Sequence, residues 1–351
     1  MTINVDFRKG SVNSFAASGS PSYSATEGAS FTVARSGDAP QLQSLFYLMF
    51  GRVEITMRAA PGAGIVSSLV LESDDLDEID MEWLGSNPNE VQSNYFGKGQ
   101  TTTYNRGQFH AVPDTQTRWI KYAVDWTPDR IVWTADGKVL RQLKAADAEA
   151  NQYPQTPMHV KFGAWAGGDP NTNAPGTVAW ARGPTDYAKG PFAMLVQSLV
   201  VADYSTGKQY RYKDSSGSWQ SIEAVDGRVN ANLNGPNGPV VTLSADAPSP
   251  PAITTGFVSV PVGGIAKDGS PATVTQTGWP WVPSAGPNGG GGGSIPDGWY
   301  MTPSGKIMKS ASAATRHASL LGASAVLAIL CVMNFQLLVS FPLSLLLTDC
   351  S

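Results

Sequence analysis

The sequence predicts an all-β protein, a sandwich of two packed antiparallel sheets. Three observations predict it. Short segments alternate apolar with polar residues, as half-buried strands do; Val53, Ile55 and Met57 against Arg52, Glu54, Thr56 and Arg58 is a clear case. Clusters of Gly, Pro, Asn and Ser separate these segments. Helical periodicity is almost absent. Many short strands with few helices bury their apolar faces by stacking one sheet on another.

Residues 3–70 read as short strands joined by Gly, Ser and Pro turns. Gly62 and Gly64 lack the third glycine and the following helix of a dinucleotide loop. Residues 71–85 contain the strictest alternation: Glu78, Asp80 and Glu82 on one face, Ile79, Met81 and Trp83 on the other. Asn87, Pro88 and Asn89 form a turn, after which Gln92 and Asn94 alternate with Val91, Ser93 and Tyr95 in a strand expected to pair with the acidic one. Residues 120–126 are another strand, and 130–143 a hairpin turning on Asp136 and Gly137. Residues 145–151 fit one or two helical turns. In 157–165, Met158, Val160, Phe162 and Ala164 point one way, and His159, Lys161, Gly163 and Trp165 the other. Gly163 is expected to leave open floor between Lys161 and Trp165. Thr177 to Trp180 follow a Pro/Gly-rich loop, 192–201 form a long apolar strand, and 210–219 end the domain.

Three carboxyl groups in a row on one strand face repel one another and raise one another's pKa. A solvated face or a calcium loop are the plain alternatives. The EF-hand pattern fails, because Ile79 stands where the sixth-position Gly is needed when Asp74 is counted first. Glycoside cleavage uses such a row: one carboxylate attacks the sugar while a second, kept protonated, gives its proton to the leaving oxygen. Gln92 and Asn94 carry amides suited to sugar hydroxyls, or else are an ordinary polar face. Trp165 on the polar face of its strand suits a sugar ring, though most Trp are core.

The run from Asp77 to Glu82, DEIDME, resembles the catalytic signature of glycoside hydrolase family 16. The stretches at 66–80 (VSSLVLESDDLDEID), 91–99 (VQSNYFGKG) and 162–170 (FGAWAGGDP) are similar to the fungal Crh-type cell-wall transglycosylases of that family. The likeness runs from about residue 3 to about 226. It implies a β-jelly-roll with a concave substrate cleft and a retaining mechanism, with Glu78 as nucleophile, Asp80 as its helper and Glu82 as proton donor and base. Spacing alone leaves the stereochemical course open. Cα atoms four residues apart on a strand lie about 13 Å apart, whereas retention brings the carboxyls to about 5.5 Å. The resemblance further implies chitin as donor and β-glucan as acceptor. Gln92, Asn94, Lys161, Trp165, Thr177 and Trp180 are the candidates for lining the cleft. Three functions remain open: transglycosylase, endo-hydrolase on the same scaffold, or a non-catalytic carbohydrate-binding wall protein.

Composition sets further bounds. The 351 residues allow one large domain with appendages, and a net charge of -4 with 15% charged residues argues against a nucleic-acid partner. The histidines, His110, His159 and His317, are scattered and show no metal-ligand spacing, so neither metal nor cofactor is expected. Both cysteines, Cys331 and Cys350, lie in an apolar tail. Residues 1–226 are the expected catalytic domain, 227–310 a Pro/Gly/Ala-rich linker or disordered stalk that cannot bury a core, and 311–351 a GPI-attachment signal. Ser310 is the expected attachment site, in a run of small residues ahead of the apolar stretch 318–347, which is also long enough for a membrane helix. The first residues begin directly with strand-like alternation, without a basic segment or apolar run of a leader. The resemblance implies such a leader, so the chain is expected to lack its natural start. The expected protein is a monomer at the cell wall or the outer face of the plasma membrane.

Overall fold

The computed structural model describes residues 2–100 and 105–233, and the backbone of 240–243, 299–301 and 307–309. The strands in chain order are β1 (Thr2–Asp6), β2 (Phe15–Ser18), β3 (Ser22–Ser24), β4 (Gly28–Val33), β5 (Gln41–Ser44) and β6 (Gly51–Arg58). They continue as β7 (Ile65–Ser73), β8 (Glu78–Leu84), β9 (Glu90–Phe96), β10 (Gln108–Ala111), β11 (Ile120–Trp126), β12 (Arg130–Ala135) and β13 (Lys138–Lys144). After them come β14 (Met158–Ala166), a short helix α1 (Pro175–Trp180), β15 (Phe192–Asp203), β16 (Gln209–Tyr212), β17 (Ile222–Val225) and β18 (Val240–Leu243).

Two large sheets form. One runs β13-β12-β11-β6-β15-β1-β18, with β4 and β3 branching from β15; the other runs β10-β9-β8-β7-β14-β5-β2. Apart from β18, which lies parallel to β1, the pairings are antiparallel. This is the two-sheet sandwich that the alternation predicts. Asp136 and Gly137 turn the β12-β13 hairpin with φ of 47° and 79°, the left-handed pair that a two-residue hairpin turn requires.

The core lies between the sheets. Val53, Ile55 and Met57 of β6 are fully buried, as are Ile79, Met81 and Trp83 of β8 and Val160 and Phe162 of β14. Trp83 meets Tyr122 of the opposite sheet edge to face, with centroids 4.6 Å apart. Phe162 is ringed by Phe7, Phe15 and Phe31. Burying each such side chain is worth about 1.5–3 kcal/mol.

Three details refine or extend the sequence reading. The stretch 145–151 holds one helical turn, a 3-10 turn over Ala145–Asp147. Thr177 and Trp180 sit on α1, which Pro175 starts; Pro at the first helical position needs no hydrogen-bond partner for its nitrogen. Residues beyond 226 also continue the packed structure. Arg228 O accepts from Thr206 N, Asn232 N donates to Tyr204 O, and Val229 packs on the core. Strand β18 and the hairpin of Trp299–Met301 with Ile307–Lys309 fall within the stretch expected to be linker. Ser310, the rest of that linker and the tail 311–351 lie outside the described residues. Among the described residues no helix is long and apolar enough to cross a membrane.

The start of β8 is fixed by a buried carboxylate. Asp77 accepts from Lys98 N (3.0 Å), Gln155 N (2.8 Å) and Thr156 Oγ1 (2.7 Å), and its own N–H donates to Ser73 Oγ (3.0 Å). Burial pushes the Asp77 carboxyl above its ordinary value, opposed by the Lys98 ammonium 3.7 Å away and by these donors. Removing the carboxylate strands three donors in the interior, each costing about 1–3 kcal/mol. Asp77→Ala is therefore expected to lower unfolding free energy by about 3–5 kcal/mol, read as a lower urea midpoint. Asp77→Asn should recover only part of this, because its amide turns a donor toward a donor.

Candidate active site

Period-2 geometry divides β8 between two jobs. Ile79, Met81 and Trp83 face the core, so Glu78, Asp80 and Glu82 face outward. The pairing register extends that outer face in rows. Glu78 lies opposite Phe96 on β9 and Glu72 on β7, and Glu72 opposite His159 on β14. Asp80 lies opposite Asn94 and Val70, and Val70 opposite Lys161. Glu82 lies opposite Gln92 and Ser68, and Ser68 opposite Gly163. Directly opposed residues share a face. The register thus brings Glu78, Asp80, Glu82, Gln92, Asn94, Lys161 and Trp165 onto one surface.

That surface is recessed. Glu78, Asp80 and Gln92 retain only 9%, 2% and 7% of their exposure although they point away from the core. The row is also braced from beneath: Trp133 of the opposite sheet donates its indole N–H to the Asp80 backbone carbonyl, 3.1 Å away.

Helix α1 walls one end. A six-residue helix does not persist by itself, so docking must hold it. Its anchor is a second apolar cluster, on the outer face, of Val66, Leu84 and Ala181 with Trp165 and Trp180 packed against it. Trp165 and Trp180 stack with centroids 6.2 Å apart at 25°, and Trp180 Nε1 donates to Gln92 Oε1 at 3.1 Å. Trp165 is thus outer-face and half-buried, not part of the sandwich core. Thr177 lies one turn before Trp180 and is half-buried.

Two expectations change. Gly163 does not leave open floor: a Cβ there would meet Pro40 O at 2.3 Å and Gln41 Cα at 2.7 Å. The glycine is needed because the chain entering β5, the antiparallel neighbour of β14 in the same sheet, comes this close with Gln41 directly opposite Gly163. Lys161 reaches the surface but forms an ion pair with Glu72, so its charge is already matched. Glu72 was legible as a polar position of its own strand, but its place beside Glu78 depends on the β7-β8 register. Phe109 escaped the sequence reading altogether. It lies opposite Gln92 on edge strand β10 and is 44% exposed. Its only signal is an apolar residue at an outward position.

At the Glu78 end, the Tyr47 ring packs on His159 with centroids 3.7 Å apart, and Tyr47 OH donates to both Asp74 oxygens at 3.1 and 3.0 Å. Burial pushes Asp74 upward, against the Tyr47 hydrogen bond and Lys161. His159 is driven down to about 3, first by burial and then by the Lys161 charge. A folded-state pKa below the ordinary 6.5 means that the unfolded chain takes up a proton that the fold refuses. This contribution to stability is intact above pH 6.5 and is lost as pH falls toward 3. Between pH 6 and 5, His159→Gln is expected to remove up to about 1.4 kcal/mol per pH unit from the acid slope of unfolding free energy. Equal slopes in both proteins would contradict the assignment.

Comparison with known proteins shows the family to which the chain belongs. Residues 10–182 match the profile of glycosyl hydrolases family 16. Crh-like protein 4 of Botryotinia fuckeliana is 53% identical over 317 residues, covering 88% of this chain and 80% of the relative. Crh-like protein 4 of Aspergillus fumigatus is 50% identical over 283 residues, covering 80% of this chain and 61% of the relative. Among solved structures, a Crh5 transglycosylase in complex with NAG superposes with a TM-score of 0.62 at 47% identity, covering 64% of this chain and 92% of that one.

Proposed function

We propose a cell-wall transglycosylase function for this chain, which belongs to the Crh-like group of glycosyl hydrolase family 16. The observation that carries the reading is the recessed row of Glu78, Asp80 and Glu82, flanked by the amides of Gln92 and Asn94 and by the Trp165–Trp180 stack. In this reading Glu78 attacks the anomeric carbon while Glu82 protonates the departing oxygen. The C–O bond breaks, a Glu78–sugar ester forms, and the leaving chain departs with the proton from Glu82. Glu82, now a carboxylate, takes the proton of an incoming hydroxyl, whose oxygen displaces Glu78. Asp80 between them holds Glu78 in position and its negative charge favours the protonated form of Glu82.

The donor in this proposal is chitin and the acceptor a β-glucan chain. The NAG bound to the related Crh5 transglycosylase supports an N-acetylglucosamine-bearing donor. Sugar hydroxyls outcompete water when an acceptor chain is held in line over the ester. Gln92, Asn94, Trp165, Thr177 and Trp180 line that path, and Lys161 fixes Glu72 beside it. A monomer, attached through a GPI anchor at Ser310 and acting at the wall, completes the proposal.

Fluorescent β-1,3-glucan oligosaccharide incubated with chitin tests it. The intact protein should place label on insoluble chitin, and Glu78→Gln should abolish transfer. Glu82→Gln should slow it about 10²–10⁴-fold. A donor with an aryl leaving group, which departs without a proton, should restore the first step in Glu82→Gln but not in Glu78→Gln. Chitin shortened without label transfer would instead indicate a hydrolase. Full transfer by Glu78→Gln would reject the assignment.

A further inference from the structure

We propose that Phe109 and Arg182 form an outlying sugar-binding position that lengthens the site beyond Gln92 for a polysaccharide chain. The proposal rests on the transglycosylase reading of the acidic row. Phe109 stands opposite Gln92, and Gln92 opposite Glu82, so all three occupy one row of the outer face. Two strand spacings carry Phe109 about 10 Å from Glu82, outside the reach of the sugar undergoing attack. Its ring is one of three large apolar side chains found exposed among the described residues, with Val139 and Tyr212. An apolar ring left in water at the margin of a polar recess suits the apolar face of a pyranose.

The surroundings keep that ring in place and set the ligand's charge. The Arg182 guanidinium lies over Phe109, 5.3 Å from the ring centroid, and is held there by Glu90 at 2.5 Å. Because Glu90 balances Arg182, the position suits a neutral sugar rather than an anion. Arg182 stands two residues past the end of α1, whose Trp180 bonds Gln92, so one segment carries both the inner stack and the outer platform. Trp165, Trp180, Gln92 and Phe109 are thus linked in succession on this face, by a ring stack, a hydrogen bond and a strand pairing.

Binding of chitin and β-1,3-glucan oligosaccharides of increasing length, measured by calorimetry on the full chain in the Glu78→Gln background, tests the position. Affinity should rise by a further step once one of the two series is long enough to cover Phe109. Phe109→Ala should remove that step, weakening the long ligand about five- to tenfold while leaving short ones unchanged. Phe109→Tyr should preserve it. The series that shows the step identifies the polymer. An identical length profile in Phe109→Ala overturns this proposal and leaves the transglycosylase reading standing. Failure of the Glu78→Gln parent to bind any oligosaccharide overturns both. A lower thermal midpoint in Phe109→Ala with loss of short-ligand binding would assign the ring a structural role instead.

Discussion

The site depends on the anchoring of β8 into the core. Glu78, Asp80 and Glu82 repel one another and resist desolvation, so the strand that carries them needs a compensating grip. Ile79, Met81 and Trp83, all but fully buried, provide it at about 1.5–3 kcal/mol each. The Trp83–Tyr122 contact and the Trp133 bond to the Asp80 carbonyl tie the same strand to the opposite sheet. A slip of one residue would put three carboxyls in the core and three large apolar groups in the cleft. Core and site therefore share one register, and Asp77 sets where it begins.

The remaining elements of the site follow from that register. Once β7 and β9 are paired to β8, Glu72, Gln92 and Asn94 have no freedom about which surface they occupy. Helix α1 then closes one end by covering the apolar residues Val66 and Leu84, which on an uncovered face would be exposed to water. Its docking positions Trp180, and the aromatic wall is thus a by-product of hiding an apolar patch.

Much of this was legible in the chain itself. Alternation is local, so it revealed β6, β8, β9, β11 and β14, the hairpin at Asp136 and Gly137, and the acidic row. What escaped depends on distant partners. Gly163 looked like vacant floor because nothing nearby in sequence shows that Pro40 and Gln41 press against it from the neighbouring strand. The pairing of Lys161 with Glu72 joins residues far apart in sequence. Helix α1 is too short to display a period, and Phe109 acquires meaning only through its position opposite Gln92. The packing of residues past 226 rests on bonds from Arg228 and Asn232 back to Thr206 and Tyr204, in a stretch whose composition reads as a linker.

The anomeric configuration of the first product tests the central claim most directly. Proton NMR during cleavage of a soluble β-linked oligosaccharide would resolve the newly formed anomer before it mutarotates. Attack by Glu78 followed by Glu82-assisted displacement inverts the centre twice, so the account predicts a β-anomer first. An α-anomer appearing first would mean a single displacement and would contradict the covalent role of Glu78.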